Sequence, residues 1–164
     1  MNIIYKLSNL VFIIEKGLAI ILGSIILIAL SAGVLYRYVF DSPLSWSDEA
    51  GMFSLAWITF IGGSMSIKLK SSPTIDVLTN FLRGKVKKYI LVLGYLIMFV
   101  FVSYVLYLSI VWISSPNIML QRSGSMGLPM IIPYLSIPVS FTFMVIHSLE
   151  VLLKSFTNTD EGVA

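Results

Sequence analysis

Four long apolar runs determine what this chain can fold into. They cover residues 17–36, 50–67, 89–113 and 128–153. A helix of about 20 apolar residues crosses a hydrocarbon layer of about 30 Å, because each residue adds about 1.5 Å. Only 12% of the residues are charged, against about 25% in an average soluble domain. This number of charged side chains is too small to cover a water-facing surface. The sequence therefore predicts an all-α membrane protein with four transmembrane helices in one membrane domain, residues 1–164.

The first apolar run has a second interpretation, as a cleaved signal peptide. Ala29 and Ser31 form a small-x-small cleavage pattern, and Lys6 and Lys16 lie upstream. However, the run is longer than a usual signal core, its leader is long, and three further runs follow. We therefore expect a retained membrane helix.

Lysines and arginines are divided unequally between the two sides of the predicted membrane. Only Arg37 and Arg122 lie on one side. Nine lie on the other side: Lys6, Lys16, Lys68, Lys70, Arg83, Lys85, Lys87, Lys88 and Lys154. Because cytoplasmic loops are enriched in Lys and Arg, we predict that both termini and the loop between the second and third helices are cytoplasmic. This topology also accounts for the net charge of +3 without nucleic acid as a partner.

The basic middle loop shows helical periodicity. Its apolar residues at helical spacing are Ile75, Leu78, Leu82, Val86 and Tyr89. Its basic residues are Arg83, Lys85, Lys87 and Lys88. This pattern predicts an amphipathic helix on the inner membrane surface, in contact with anionic lipid. The alternative is a solvated basic loop that only sets the topology.

The segment between the first two runs contains two adjacent acids, Asp48 and Glu49. Pro43 favours a turn there, and Ser47 is a plausible N-cap for the second helix. The acids then occupy the first helical turn, where the helix dipole favours negative charge. They are candidates for an ion site or a partner contact, but capping is the commoner role. Trp46 is expected at headgroup depth.

The same segment resembles the signature of the DctQ-like small membrane subunit of tripartite ATP-independent periplasmic (TRAP) transporters. The residues that match the signature are Arg37, Tyr38, Phe40, Pro43, Leu44, Trp46, Ser47, Asp48 and Glu49. Further matches are Trp57, Gly62 and Gly63, the element around Asp76, and residues 127–130 and 134–139. Asp41 and residues 72–74 depart from the usual pattern, which weakens any role transferred to the 72–74 loop.

The resemblance implies a scaffold rather than a carrier. In that family a large membrane subunit binds substrate and sodium and moves as an elevator, while a periplasmic protein delivers the substrate. The family's substrates include sialic acid and C4-dicarboxylates. Because the chain ends soon after its fourth run, the large subunit is expected to be a separate chain. Sites for substrate, metal or cofactor are not expected in this chain.

Other chemistry finds little support in the sequence. With no cysteine and one histidine, the chain has no disulfide and no Cys- or multi-His metal site, and no hydrolase motif is present. His147 and Glu150 share a helix face and suggest a proton relay, although snorkelling to the membrane interface is the commoner role there. The pairs Ala29/Gly33 and Gly62/Ser66 have small-xxx-small spacing, which favours close helix packing.

The alternative function is a stand-alone four-helix exporter coupled to protons. Such an exporter needs a carboxylate inside the membrane. The first three apolar runs contain no Asp or Glu, and Glu150 lies near the end of the fourth. The sequence therefore favours the scaffold subunit over the exporter.

Overall fold

The computed structural model describes residues 2–69 and 85–157, which form six helices. These are α1 (Asn2–Val39), α2 (Ser45–Leu69), α3 (Lys85–Ile113), α4 (Pro116–Leu120), α5 (Ile131–Tyr134) and α6 (Ser136–Thr157). Within these residues the only β-type pairing is an isolated antiparallel bridge between Arg122 and Pro129. The predicted all-α fold is confirmed.

The four long helices form a bundle with α6 at its centre. Helix α6 contacts α1, α2 and α3, whereas α3 packs mainly against α6. The most extensive contacts join α1 to α2 and α3 to α6. Large apolar side chains cover much of the outer surface, and many of the buried side chains are serines. This distribution is typical of a bundle in lipid, where small residues allow helices to approach closely.

All four long helices are long and apolar enough to cross a membrane. The bounds of α1, α2 and α3 exceed the predicted runs, most of all at α1, which begins at Asn2 instead of residue 17. Helix α6 begins only at Ser136, later than the predicted start of the fourth run at residue 128. With 38 residues, α1 is about 57 Å long, so it extends well beyond a hydrocarbon layer of about 30 Å. The first apolar run predicted residues 17–36 of α1 and not the helical continuation before them.

The fourth apolar run is not one continuous helix, and its three prolines lie in its broken first part and at the start of α6. Pro129 lies in the β-bridge, Pro133 lies in the short helix α5, and Pro138 is the third residue of α6. Proline is tolerated in the first turn of a helix because its missing N–H has no partner there. Trp57 of α2 donates a hydrogen bond to the carbonyl of Ile132 in α5, 3.1 Å away. The broken entry to the fourth span therefore packs against α2.

The predicted surface helix lies largely outside the described residues, as do Asp76 and Arg83. Lys85, Lys87 and Lys88 form the start of α3 and are continuous with the third span. The lipid-binding role of these basic residues stays a prediction.

Candidate functional site

Helix α2 begins two residues earlier than the sequence indicated. Its first residue is Ser45, so Ser47 lies inside the first turn, and the predicted N-cap role of Ser47 is wrong. The buried Ser47 hydroxyl instead donates a hydrogen bond to the carbonyl of Leu44, 2.9 Å away. A Cβ atom on Gly33 would lie only 3.1 Å from the Cβ of Ser47. Ser47 and Gly33 therefore mark a close approach of α1 to α2, beside the buried Ala29.

Glu49 binds a distant part of the chain rather than the start of its own helix. Its Oε1 accepts the backbone N–H of Ser125 at 2.9 Å, and its Oε2 accepts that of Met126 at 2.8 Å. Both donors lie in the 121–130 loop, whose ends are joined by the Arg122–Pro129 bridge. A carboxylate that accepts two backbone N–H groups fixes the loop to the start of α2. This arrangement is neither simple capping nor a free partner site.

Gly127 allows the same loop to reverse direction. Its φ is +64°, in the left-handed region that glycine adopts without steric cost. The backbone N–H groups of Ser123 and Met130 donate to the carbonyls of Leu128 and Gln121, at 2.8 and 3.0 Å. The loop is therefore a compact hairpin whose tip reaches Glu49.

The other signature residues lie mainly on the surface. Arg37 and Asp48 form an ion pair at 3.5 Å, and both side chains are more than half exposed. Trp46, Tyr38 and Phe40 are exposed as well. Exposed pairs of this kind contribute little to stability. These side chains are available for a partner or for lipid headgroups, whereas Ser47 and Glu49 are engaged within the chain.

A second group of polar side chains, most of them buried, lies at the opposite end of the bundle, where α1, α2 and α6 meet. We call this group the polar cluster. It consists of Ser8, Glu15, Lys68, His147, Glu150 and Lys154. His147 and Glu150 are buried within the bundle, so the expected snorkelling to the interface is not what the structure shows.

His147 joins α1 to α6 through both of its ring nitrogens. Its Nδ1 lies 2.6 Å from the Ser8 hydroxyl, and its Nε2 lies 3.0 Å from Oε2 of Glu15. The geometry fits an Nε2–H that donates to Glu15 and a Ser8 hydroxyl that donates to Nδ1. All three residues are fully buried. Oε1 of Glu15 has no hydrogen-bond partner among the described residues.

Lys68 extends the polar cluster to α2. Its Nζ donates to Ser8 at 3.0 Å and to Glu150 at 2.5 Å. The other oxygen of Glu150 accepts from Lys154, also at 2.5 Å. The two lysines and two glutamates balance in charge, which lowers the cost of burying them.

Sequence reasoning missed Ser8, Glu15 and Lys68 as parts of one cluster. Glu15 lies only two residues before the predicted first run, and it lies within α1 in the structure. Ser8 and Glu15 are seven residues apart, which puts them on one face of a continuous helix. This seven-residue spacing was the feature of the sequence that could have predicted that Ser8 and Glu15 act together. Glu15 lies outside the first apolar run, so that run still contains no acid, but α1 as a whole carries a buried one.

The structure gives no support for a metal centre. The described residues contain no group of three or more His, Asp or Glu side chains that could hold an ion. The fold and these sites define a multi-pass helical membrane protein whose buried charges bind one another.

Comparison with known proteins places the chain within this class. Residues 26–158 match the family described as "Tripartite ATP-independent periplasmic transporters, DctQ component". The chain belongs to this family, so the resemblance noted from its signature is confirmed. Since it is a helical component of a periplasmic transport system, it is a protein of the bacterial inner membrane.

Three relatives have names that describe their transport systems. The sialic acid TRAP transporter permease protein SiaT of Haemophilus influenzae (strain 86-028NP) is 35% identical over 37% of this chain and 10% of its own length. The isethionate TRAP transporter permease protein DctMQ of Oleidesulfovibrio alaskensis is 27% identical over 71% of this chain and 19% of its own. The C4-dicarboxylate TRAP transporter small permease protein DctQ of Vibrio cholerae is 30% identical over 45% and 32%.

The chain spans between 10% and 32% of the lengths of these relatives. All three are permease proteins, which are transport components and not enzymes. Through its family match, the chain is likewise a TRAP transporter component.

Proposed function

We propose that this chain is the scaffold subunit of a sodium-coupled TRAP transporter that imports small organic anions, with sialic acid and C4-dicarboxylates as the leading candidates. The family match over residues 26–158 is the observation that supports this most strongly, because it includes the end of α1 and all of α2, α3 and α6. The names of two relatives specify sialic acid and C4-dicarboxylate. A third specifies isethionate, a sulfonate, so the proposed substrates include organic sulfonates beside the carboxylates.

The proposed partner is a large membrane subunit that binds the substrate and moves against a fixed scaffold. The relative named DctMQ matches this chain over only 19% of its own length, which leaves most of that permease outside the matched part. A periplasmic binding protein is the proposed second partner. The exposed Arg37, Trp46 and Asp48 are candidate contacts for either protein.

The buried charges support a scaffold rather than a carrier. Glu15, Glu150 and Lys68 bind groups on neighbouring helices. Such contacts fix the helices relative to one another, as an elevator's static part requires. One observation favours the exporter alternative: Glu15 is a fully buried acid within the first long helix, beside His147. Because Glu15 and His147 bond to each other, we regard them as structural.

The experiment that tests the proposal is reconstitution. The chain alone in proteoliposomes is expected to give no sodium-driven uptake of sialic acid, succinate or isethionate. Uptake of one of them is expected once the large subunit and the periplasmic binding protein from the same genome are added. Uptake by the chain alone would overturn the scaffold proposal, and proton-driven export by the chain alone would establish the alternative.

A further inference from the structure

Helix α3 presents a continuous exposed face that the rest of the bundle does not cover. It packs mainly against α6, and the residues of the exposed face recur at alternating spacings of three and four. We call this set the α3 face. It consists of Ile90, Leu93, Ile97, Val100, Tyr104, Tyr107 and Val111. Spacing of this kind produces a straight seam that fits a second helix at a shallow crossing angle.

Two residues of the α3 face are poorly suited to lipid tails. Tyr104 and Tyr107 are 59% and 63% exposed. Tyr104 lies about 4.5 Å, and Tyr107 about 9 Å, along the axis from the middle of the Tyr89–Ile113 span. The hydrocarbon layer extends about 15 Å on each side of its centre. Aromatic side chains on a helix point back toward its N-terminus, which directs both hydroxyls toward the middle of the span.

These phenol groups have no hydrogen-bond partner within the described part of the chain. A hydroxyl in hydrocarbon without a partner is costly, and tyrosine is normally enriched at the membrane interfaces instead. Acyl chains offer no acceptor. The α3 face therefore requires a neighbour that brings acceptors to membrane depth.

The outer surfaces of α1 and α2 provide a contrast. The Ser24 hydroxyl of α1 donates to the carbonyl of Ile20 at 2.9 Å, and that of Thr59 in α2 donates to the carbonyl of Leu55 at 2.7 Å. Such bonds satisfy an exposed hydroxyl within its own helix. A tyrosine cannot do the same, because its hydroxyl lies too far from its own backbone. These surfaces are compatible with lipid.

We infer that the α3 face binds a transmembrane helix of the large membrane subunit, with Tyr104 and Tyr107 donating hydrogen bonds to polar groups of that helix inside the membrane. This inference rests on the proposed function and adds the surface through which the two subunits join. The acceptors are carbonyl, hydroxyl, amide or carboxylate oxygens, because a phenol O–H is the donor. The apolar seam supplies the packing around them.

The test replaces only the two hydroxyls. The double variant Tyr104→Phe, Tyr107→Phe is expressed with the large subunit, and the amount of large subunit recovered with the tagged chain is measured. The matched control is Tyr89→Phe, whose ring is exposed at the end of the same span. We expect the double variant to weaken association roughly 10-fold, because it loses two hydrogen bonds of ordinary strength inside the membrane. The control should leave association unchanged. Unchanged recovery with the double variant would overturn the inference, since removal of a lipid-facing hydroxyl has no such cost.

A second measurement keeps the test informative if the double variant is poorly inserted. Ile97→Cys on the α3 face is compared with Leu27→Cys on the exposed side of α1, in this cysteine-free chain. A membrane-permeable bifunctional thiol reagent is expected to cross-link the first variant, and not the second, to single cysteines placed in the large subunit. Cross-linking of the Ile97→Cys variant to a second copy of this chain, or to nothing, would overturn the inference. If the wild-type chain fails to co-purify with the large subunit at all, the proposed function fails rather than the choice of face.

Discussion

At the scale of single residues, Lys68 shows how this protein keeps charge inside an apolar bundle. Its side chain is only 11% exposed and binds Glu150 and Ser8. Lys154 binds the same carboxylate but is 41% exposed. Both ammonium groups also lie near the ring of Tyr5. The two cations are chemically equivalent and differ in their access to water.

That difference predicts unequal losses of stability. Lys68→Ala leaves Glu150 with one partner and removes a donor from Ser8, and breaking a buried pair costs about 3–5 kcal/mol. Lys154→Ala removes a partner whose place water can take, which costs about 1 kcal/mol or less. The thermal midpoint of unfolding in detergent should therefore fall clearly for Lys68→Ala and only slightly for Lys154→Ala. Equal midpoints for the two variants would show that Lys68 has no special role in the polar cluster.

At the scale of structural elements, the start of α2 fixes the 121–130 loop. Asp48 and Glu49 are adjacent acids with different tasks: Asp48 pairs with the exposed Arg37, whereas Glu49 accepts two N–H groups of the loop. The sequence predicted both acids in the first turn of a helix, and the structure has Asp48 there and Glu49 just beyond it. The sequence could not distinguish them, because the partners of Glu49 lie more than 70 residues away.

This division of roles predicts a selective effect on the loop. Glu49→Gln keeps the size of the side chain but leaves one oxygen to accept hydrogen bonds, so the N–H of Ser125 or Met126 loses its acceptor. Trypsin should then cut after the exposed Arg122 several-fold faster than in the wild type. Asp48→Asn removes one negative charge at the adjacent position and leaves the contacts of the loop unchanged. Trypsin should therefore cut this variant at the wild-type rate. Equal rates in both variants would mean that Glu49 does not hold the loop.

The bounds of the helices also depend on contacts between residues far apart in the sequence, which local sequence patterns do not reveal. Hydropathy located all four crossings, because it records which side chains tolerate lipid. It did not locate the first 15 residues of α1, whose helix is stabilised by contacts of Ser8 and Glu15 with α6. The N-cap error at Ser47 has a related cause. Its hydroxyl suited a cap, but the close approach at Gly33 puts it in the α1–α2 contact.

At the scale of the whole molecule, the polar cluster and the 121–130 loop lie at opposite ends of the bundle. The unequal division of lysines and arginines predicts that the polar cluster is on the cytoplasmic side and the loop on the periplasmic side. On that predicted topology the Arg37–Asp48 pair and Trp46 face the periplasm, the side from which the proposed binding protein would dock.

Single cysteines in this cysteine-free chain test the orientation. Suitable positions are Ser125, which is exposed in the loop, and Ser72 and Asn158, which the charge rule assigns to the cytoplasm. A membrane-impermeant maleimide added to intact spheroplasts should label only the Ser125→Cys variant, and all three variants should react after lysis. Labelling of Ser72→Cys and not Ser125→Cys in intact spheroplasts would establish the reverse orientation.

The sequence by itself determined the class of this protein, its four crossings and its family, because these depend on local composition and on a short contiguous signature. Only the tertiary structure decided which polar residues act together. Glu15 and His147 are 132 positions apart and bond at 3.0 Å, and Glu49 reaches the loop across 76 positions. Whether an acid caps its own helix or binds another element depends on how the helices pack. That packing is a sum of many weak contacts over the whole bundle, so no single stretch of sequence displays it.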